Sequence, residues 1–200
     1  MKKIKLVSIW TPKGGQGKSM LAINLAGAAV EIGIKPLVVC QDQQGTSIAY
    51  HKEGNLPFEV VGRIPQERPD ADIVFFDHQA SDWDVPDTSL IVMPLKPPRD
   101  QYKTYIDAFK RAKAKGRDII TVVTDGTDHR KSERETTRYL KGEGAFVIPS
   151  SGVFSRASED YRTIYDPALN KAYKIGERRR EITKILGAIL LEDTESEENN

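Results

Sequence analysis

Seven consecutive residues, Lys13-Gly14-Gly15-Gln16-Gly17-Lys18-Ser19, combine the types and spacing needed to hold a chain of phosphates. They follow an apolar run, Ile4 to Trp10, and precede a helical pattern that begins near Gly17. A glycine-rich turn between strand and helix leaves backbone N–H groups aimed at one spot beside the positive end of the helix dipole. Glycine lets the backbone approach an anion closely and adopt the positive φ angles of a tight cradle. Lys18 then reaches the outer phosphates, and the Ser19 hydroxyl holds a Mg²⁺ ion. A flexible glycine loop that merely precedes a helix would not need residue type, spacing and context to agree in this way.

The common phosphate loop, Gly-x-x-x-x-Gly-Lys-Ser/Thr, would place a glycine where this chain has Pro12. The glycines are instead 14, 15 and 17, with an additional lysine at 13. Lys-Gly-Gly-x-Gly-Lys-Ser/Thr resembles the deviant Walker A loop of the ParA/MinD family of ATPases. The resemblance implies ATP and Mg²⁺ as cofactors, with Lys13, Gly14, Gly15, Gln16, Gly17, Lys18, Ser19 and Met20 forming the nucleotide cradle. It implies that Lys13 reaches across an ATP-dependent homodimer to the partner's nucleotide. The segment Gln41-Asp42-Gln43-Gln44-Gly45 is similar to the family's Asp-x-Asp-Pro-Gln, with Cys40 at the first aspartate and Gln43 at the proline. Asp42 would position the hydrolytic water there, although the same residue also suits an ordinary helix cap. Ala71 to Asp77 resembles a Walker B strand whose terminal carboxylate, Asp77, joins Ser19 in holding the metal. Its continuation reads Asp-His-Gln-Ala, where the family often has Asp-x-x-Pro. His78 has no histidine or cysteine partner at useful spacing and reads as a polar loop residue.

The elements that must position these residues follow from periodicity. Buried strands are expected at Ile4–Trp10, Pro36–Cys40, Ala71–Asp77, Ser89–Leu95 and Ile119–Val123, with short ones at Phe58–Val61 and Ala145–Ile148. Between them lie a nearly all-apolar helix from Gly17 to about Ile32, a helix from Thr46, an amphipathic one over 100–115 and a charged one over 129–142. Alternating strands and helices predict an α/β fold: a single doubly wound, mostly parallel sheet with helices on both faces. In such sheets ligands bind at the carboxyl ends of the strands, where Asp42 and Asp77 would meet the phosphate loop. Residues 149–170 resemble the family's variable region near the base and dimer interface. An amphipathic helix over 177–191 turns Ile182, Ile185, Leu186 and Ile189 to one side.

Two hundred residues suffice for one such domain, 1–191, followed by a tail at 192–200. The tail carries five acids and no base and reads as disordered. The formal net charge of +1 therefore conceals an excess on the folded part, 30 basic against 24 acidic groups. Lys171, Lys174, Arg178, Arg179, Arg180 and Lys184 form a basic cluster, similar in place to residues with which ParA-like proteins bind nonspecific DNA. A solvated helix face would look the same. One cysteine rules out an internal disulfide framework, counts against an iron–sulfur cluster and fits a reducing cytoplasm, while the resemblance implies association with the nucleoid. No membrane binding is expected, since no apolar run approaches the ~18–20 residues of a span and the acidic tail would be repelled by anionic lipid. With nothing ahead of the first strand to form a helix-turn-helix domain, site recognition is expected to fall to a ParB-like centromere-binding partner. The resemblance thus implies a DNA-partition ATPase that binds nonspecific DNA as an ATP–Mg²⁺ dimer and is released by slow, partner-stimulated hydrolysis. The alternative is a nucleotide-gated positioning module with little or no hydrolysis. A metabolic ligase or reductase on the same fold lacks a supporting motif.

Overall fold

Short apolar runs bounded by turns become strands, and every strand is parallel to its neighbours. The computed structural model describes residues 3–42, 46–126 and 130–197. The strands are β1 (Lys5–Ile9), β2 (Pro36–Cys40), β3 (Glu59–Val61), β4 (Ile73–Asp77), β5 (Leu90–Leu95), β6 (Asp118–Gly126) and β7 (Phe146–Pro149). They form one sheet in the order β3-β2-β4-β1-β5-β6-β7. The helices are α1 (Lys18–Glu31), α2 (Thr46–Glu53), α3 (Arg99–Ala114), α4 (Lys131–Gly142), α5 (Gly152–Glu159) and α6 (Ile175–Glu197).

The order reverses around β1, so the chain winds outward in both directions from the strand that precedes the phosphate loop. Register then aligns the strand ends. Asp77 stands beside Ile9 on one flank and Cys40 on the other. The alternation of side chains along each strand divides the core in two. One face carries Val7, Ile9, Val38, Phe75 and Val92 against α1 and α6. Helix α1 is buried around nearly its whole circumference, as its all-apolar sequence requires, because α6 lies over it. The other face packs Ile91, Met93 and Leu95 against Tyr105, Ala108 and Ala112 of α3 and Leu140 of α4. On that face β1, β2 and β4 meet only a small apolar cluster, Leu37, Val39 and Val74 with Ile4, Val61, Ala71 and Phe76.

Helix α5 lies inside the stretch read from sequence as loop. Its Ser151 cap accepts a bond from the Val153 N–H, and Val153 and Ala157 are buried. Helix α6 begins at Ile175 and continues to Glu197, past the Leu191 boundary expected from the apolar stripe. Gln44 of the family-like segment lies outside the described residues.

Candidate functional site

The loop 13–19 is held open by its own glycines. Gly15 and Gly17 sit at φ +72° and +90°, where a side chain would be strained, and Gly17 is the N-cap of α1 with no side-chain cap. The first turn of α1 thus presents its N-terminal dipole to whatever occupies the loop. Gln16 anchors the loop from below. It is 3% exposed, accepts the Lys96 N–H at 2.7 Å, and donates to Gln101 Oε1 at 2.7 Å and Gly14 O at 3.1 Å. Thr124 at the end of β6 donates to the Gln16 carbonyl at 2.8 Å. The motif allows any residue at position 16 of the cradle, yet here Gln16 fastens the loop to α3, to β6 and to the turn after β5. No motif signals this; a buried glutamine in a glycine loop is the only clue.

Lys18 is buried, and its ammonium donates to the carbonyls of Thr11 and Lys13, each at 3.2 Å. Burial pushes its pKa down, while the charges of Asp77 and Asp42 oppose that shift. The Lys13 side chain projects into solvent with no partner among the described residues. The two lysines therefore differ in environment, Lys18 folded into the site and Lys13 exposed.

Asp77 has no exposure at all. Burial raises its pKa; hydrogen bonding from Ser47 and Ser19 and the charge of Lys18 work the other way. Ser47 donates to Oδ2 from the first turn of α2. Oδ1 is buried with no hydrogen-bond partner, and the Ser19 hydroxyl faces the same carboxylate. A buried carboxylate oxygen left unpaired costs roughly 1–3 kcal/mol or more, so a ligand for it is to be expected. These donors fit Mg²⁺, which takes one or two protein oxygens and completes its shell with water and substrate phosphates. No cluster of three or more histidine, cysteine or acidic residues able to hold a metal exists among the described residues.

Asp42 lies close enough for its charge to act on both Lys18 and Asp77. Cys40 is 3% exposed, paired in register with Asp77, its thiol pushed up chiefly by burial. A carboxylate at position 40 would add a second buried negative charge beside Asp77; the thiol adds none. The segment after β4 closes over the loop. Ala80 lies 3.5 Å from the Cβ position of Gly14, and Ser81, at φ +67°, donates its N–H to Pro12 O at 2.7 Å. The His78 ring contacts Ser8 Oγ at 3.0 Å, and Ser8 in turn accepts from Thr88 at 2.8 Å. A cavity of about 870 Å³ touches none of these groups; it lies between the end of α1, the start of β2 and the chain over 57–71.

The basic cluster divides. Lys171, Lys174, Arg180 and Lys184 are exposed, with Lys174 3.8 Å from Glu177. Arg178 is 4% exposed, its guanidinium bound to Pro149 O, Glu177 and Glu181. Arg179 donates to Ile164 O and Asn170 Oδ1, each at 2.8 Å, and lies over the Tyr165 ring. Arg178 precedes Ile182 by four residues and so shares the buried stripe of α6. The charge run hid this, because helical phase rather than residue type decides which arginine turns inward.

No protein-family model matches the sequence, and no curated relative does. Solved structures do. A protein assigned to plasmid partition in Borrelia burgdorferi B31, bound to AMPPNP, superposes with a TM-score of 0.73 at 17% identity, covering 96% of this chain and 100% of that one. MinD of Pyrococcus horikoshii with Mg-ADP gives 0.67 at 13% identity over 92% and 96%. A variant of Cyanothece McdA bound to ATP gives 0.68 at 11% identity over 95% and 97%. The chain therefore has the fold of the ParA/MinD-type P-loop ATPases.

Proposed function

We propose that the protein is a ParA-type partition ATPase that binds ATP and Mg²⁺, dimerises around them and holds nonspecific DNA in that state. The observation that carries this reading is the meeting of Lys18, Ser19, Asp42 and Asp77 at the carboxyl edge of the sheet, with Asp77 Oδ1 buried and unpaired. Lys18 and the loop amides bind the phosphates. Ser19 and Asp77 hold Mg²⁺, which when bound neutralises phosphate charge. Asp42 orients water, and the outward Lys13 serves the partner subunit's nucleotide. Exposed Lys171, Lys174, Arg180 and Lys184 supply the DNA contacts, while Arg178 and Arg179 fasten α6. A ParB-like protein stimulates hydrolysis and so releases the DNA. No helix among the described residues is long and apolar enough to cross a membrane.

The test is a DNA titration with ATP, with ADP and without nucleotide, at two salt concentrations. Binding that is tight only with ATP and weakens steeply with salt is expected. Equal binding in all three states removes the switch. A second reading, a nucleotide-gated positioning module with little or no hydrolysis, is favoured by Cys40 in place of an aspartate. ATP-dependent dimers that never turn over, even with DNA and partner present, would select it.

A further inference from the structure

Parallel strands in a sheet of this kind are normally covered on both faces, and their sequences are apolar on both faces for that reason. Half of one face departs from this. The cluster around Leu37, Val39 and Val74 includes no helix residue, and the connections β3 to β4 and β4 to β5 contain no helix. Leu6, in the central strand β1, is 46% exposed, and Ile64, which shares a cavity with it, is 59% exposed. A cavity of about 470 Å³ lies here, with Leu6, Ser8 and Phe76 as its floor and Ile64 and the segment 78–88 as its walls. Exposed apolar surface of this kind on a central strand marks a contact site more often than a free surface.

Charge says what the contact is. The lining includes Asp82, Asp84 and Asp87 and neither lysine nor arginine. Asp82 accepts the Asp84 N–H within its own turn, and Asp87 has only a loose 3.5 Å pair with Arg117 at the rim. Arg111 lies over the outer Trp83 ring, 5.3 Å from its centroid. Asp84 is exposed and has no ion-pair partner among the described residues.

We propose that this open sheet face is a docking groove for a cationic, apolar segment of a partner protein, one that sets aliphatic or aromatic anchors on Leu6 and Phe76 and lysine or arginine against Asp84 and Asp87. A second copy of this chain docked through a two-fold axis would bring the same carboxylates together, which opposes self-association here. Nucleic acid and anionic lipid are repelled by the same charges. The groove ends at Gln41 and His78, the neighbours in sequence of Asp42 and Asp77, so its occupant touches both segments that carry the site's carboxylates. The docking groove goes beyond the ATPase reading and does not depend on it.

The probe is a synthetic peptide of about 12 residues alternating leucine and lysine, compared with a leucine–glutamate peptide of the same length. Binding is read as the fluorescence anisotropy of a dye-labelled peptide. Saturable binding of the lysine peptide is expected, about tenfold weaker in Asp84→Lys and in Leu6→Asp, and none of the glutamate peptide. Asp84 is exposed, so Asp84→Lys keeps the melting temperature and nucleotide affinity of the parent, which separates failure of the groove from failure of the ATPase site. Equal binding of both peptides, or unchanged binding by Asp84→Lys, overturns the proposal. So does self-association of the parent that Asp84→Lys abolishes.

Discussion

At the scale of single residues, the site separates two lysines that a charge count treats alike. Lys18 is buried against the loop carbonyls and near two carboxylates, so Lys18→Ala should weaken nucleotide binding by roughly tenfold or more, as removal of a charge-assisted hydrogen bond does. Lys13 is exposed, so Lys13→Ala should leave binding largely intact and abolish ATP-dependent dimerisation or turnover. Calorimetric titration and light scattering on the two variants decide this; identical behaviour would make the loop an ordinary one. Ser47 carries a different consequence. Ser47→Ala leaves Asp77 Oδ2 buried without its donor, at about 1–3 kcal/mol, read as a lower melting temperature. Nucleotide affinity should also fall more with Mg²⁺ than without it. The loop and Asp77 were legible in the sequence because their chemistry fixes residue type and spacing. Ser47 was not, because it acts on a residue 30 positions away through the fold alone.

At the scale of elements, strands were read well because each is a short apolar run and the parallel sheet buries such runs. Helix α5 has a weak sequence signal: at eight residues it shows one apolar repeat, Val153 to Ala157, with Phe154 beside it, and the Ser151 cap is its clearest mark. Position 78 illustrates what alternation along a strand cannot say. It follows β4 and ties that strand's end to β1 through Ser8 and to the start of β5 through Thr88. Burial holds the His78 pKa down to about 4, with Lys18 adding to the shift and Asp82 opposing it. Between about pH 6.5 and 4 the unfolded chain takes up a proton that the folded chain refuses, so stability falls as pH falls through that window. The stabilisation at stake is on the order of 3 kcal/mol at full shift. Melting temperatures from pH 7 to pH 4 should drop more steeply for the parent than for His78→Gln. Parallel curves would mean that His78 titrates normally and that the polar link between the three strands is open to water.

At the scale of the whole molecule, the excess of basic groups was legible as a number but not as a surface. Folding turns Arg178 inward and leaves Lys171, Lys174, Arg180 and Lys184 outside. It also brings α4 to the same region. Arg134, Arg138 and Lys141, at helical spacing on one side of α4, line a cavity of about 650 Å³ with Pro149 and Glu181, and the charges of Arg180 and Lys184 act on Glu181. The basic face thus crosses the β7 edge from one helix to the other, a juxtaposition of residues far apart in sequence that no local pattern reveals. If DNA lies on this face, each phosphate deprived of its cation should flatten the dependence of log K on log salt by ~0.9. Replacing Arg180 and Lys184 with glutamine, and separately Arg138 and Lys141, should therefore weaken DNA binding and flatten the slope while leaving ATP affinity and melting temperature unchanged. Arg178→Gln should do the reverse: it strips Glu181 and Pro149 of their partner, so the melting temperature falls, and the salt slope of the remaining folded protein stays as it was. A DNA titration across four salt concentrations separates the cases. Should the Arg138/Lys141 variant keep the parent's slope while the Arg180/Lys184 variant loses it, DNA follows α6 alone and the edge of β7 lies outside its path.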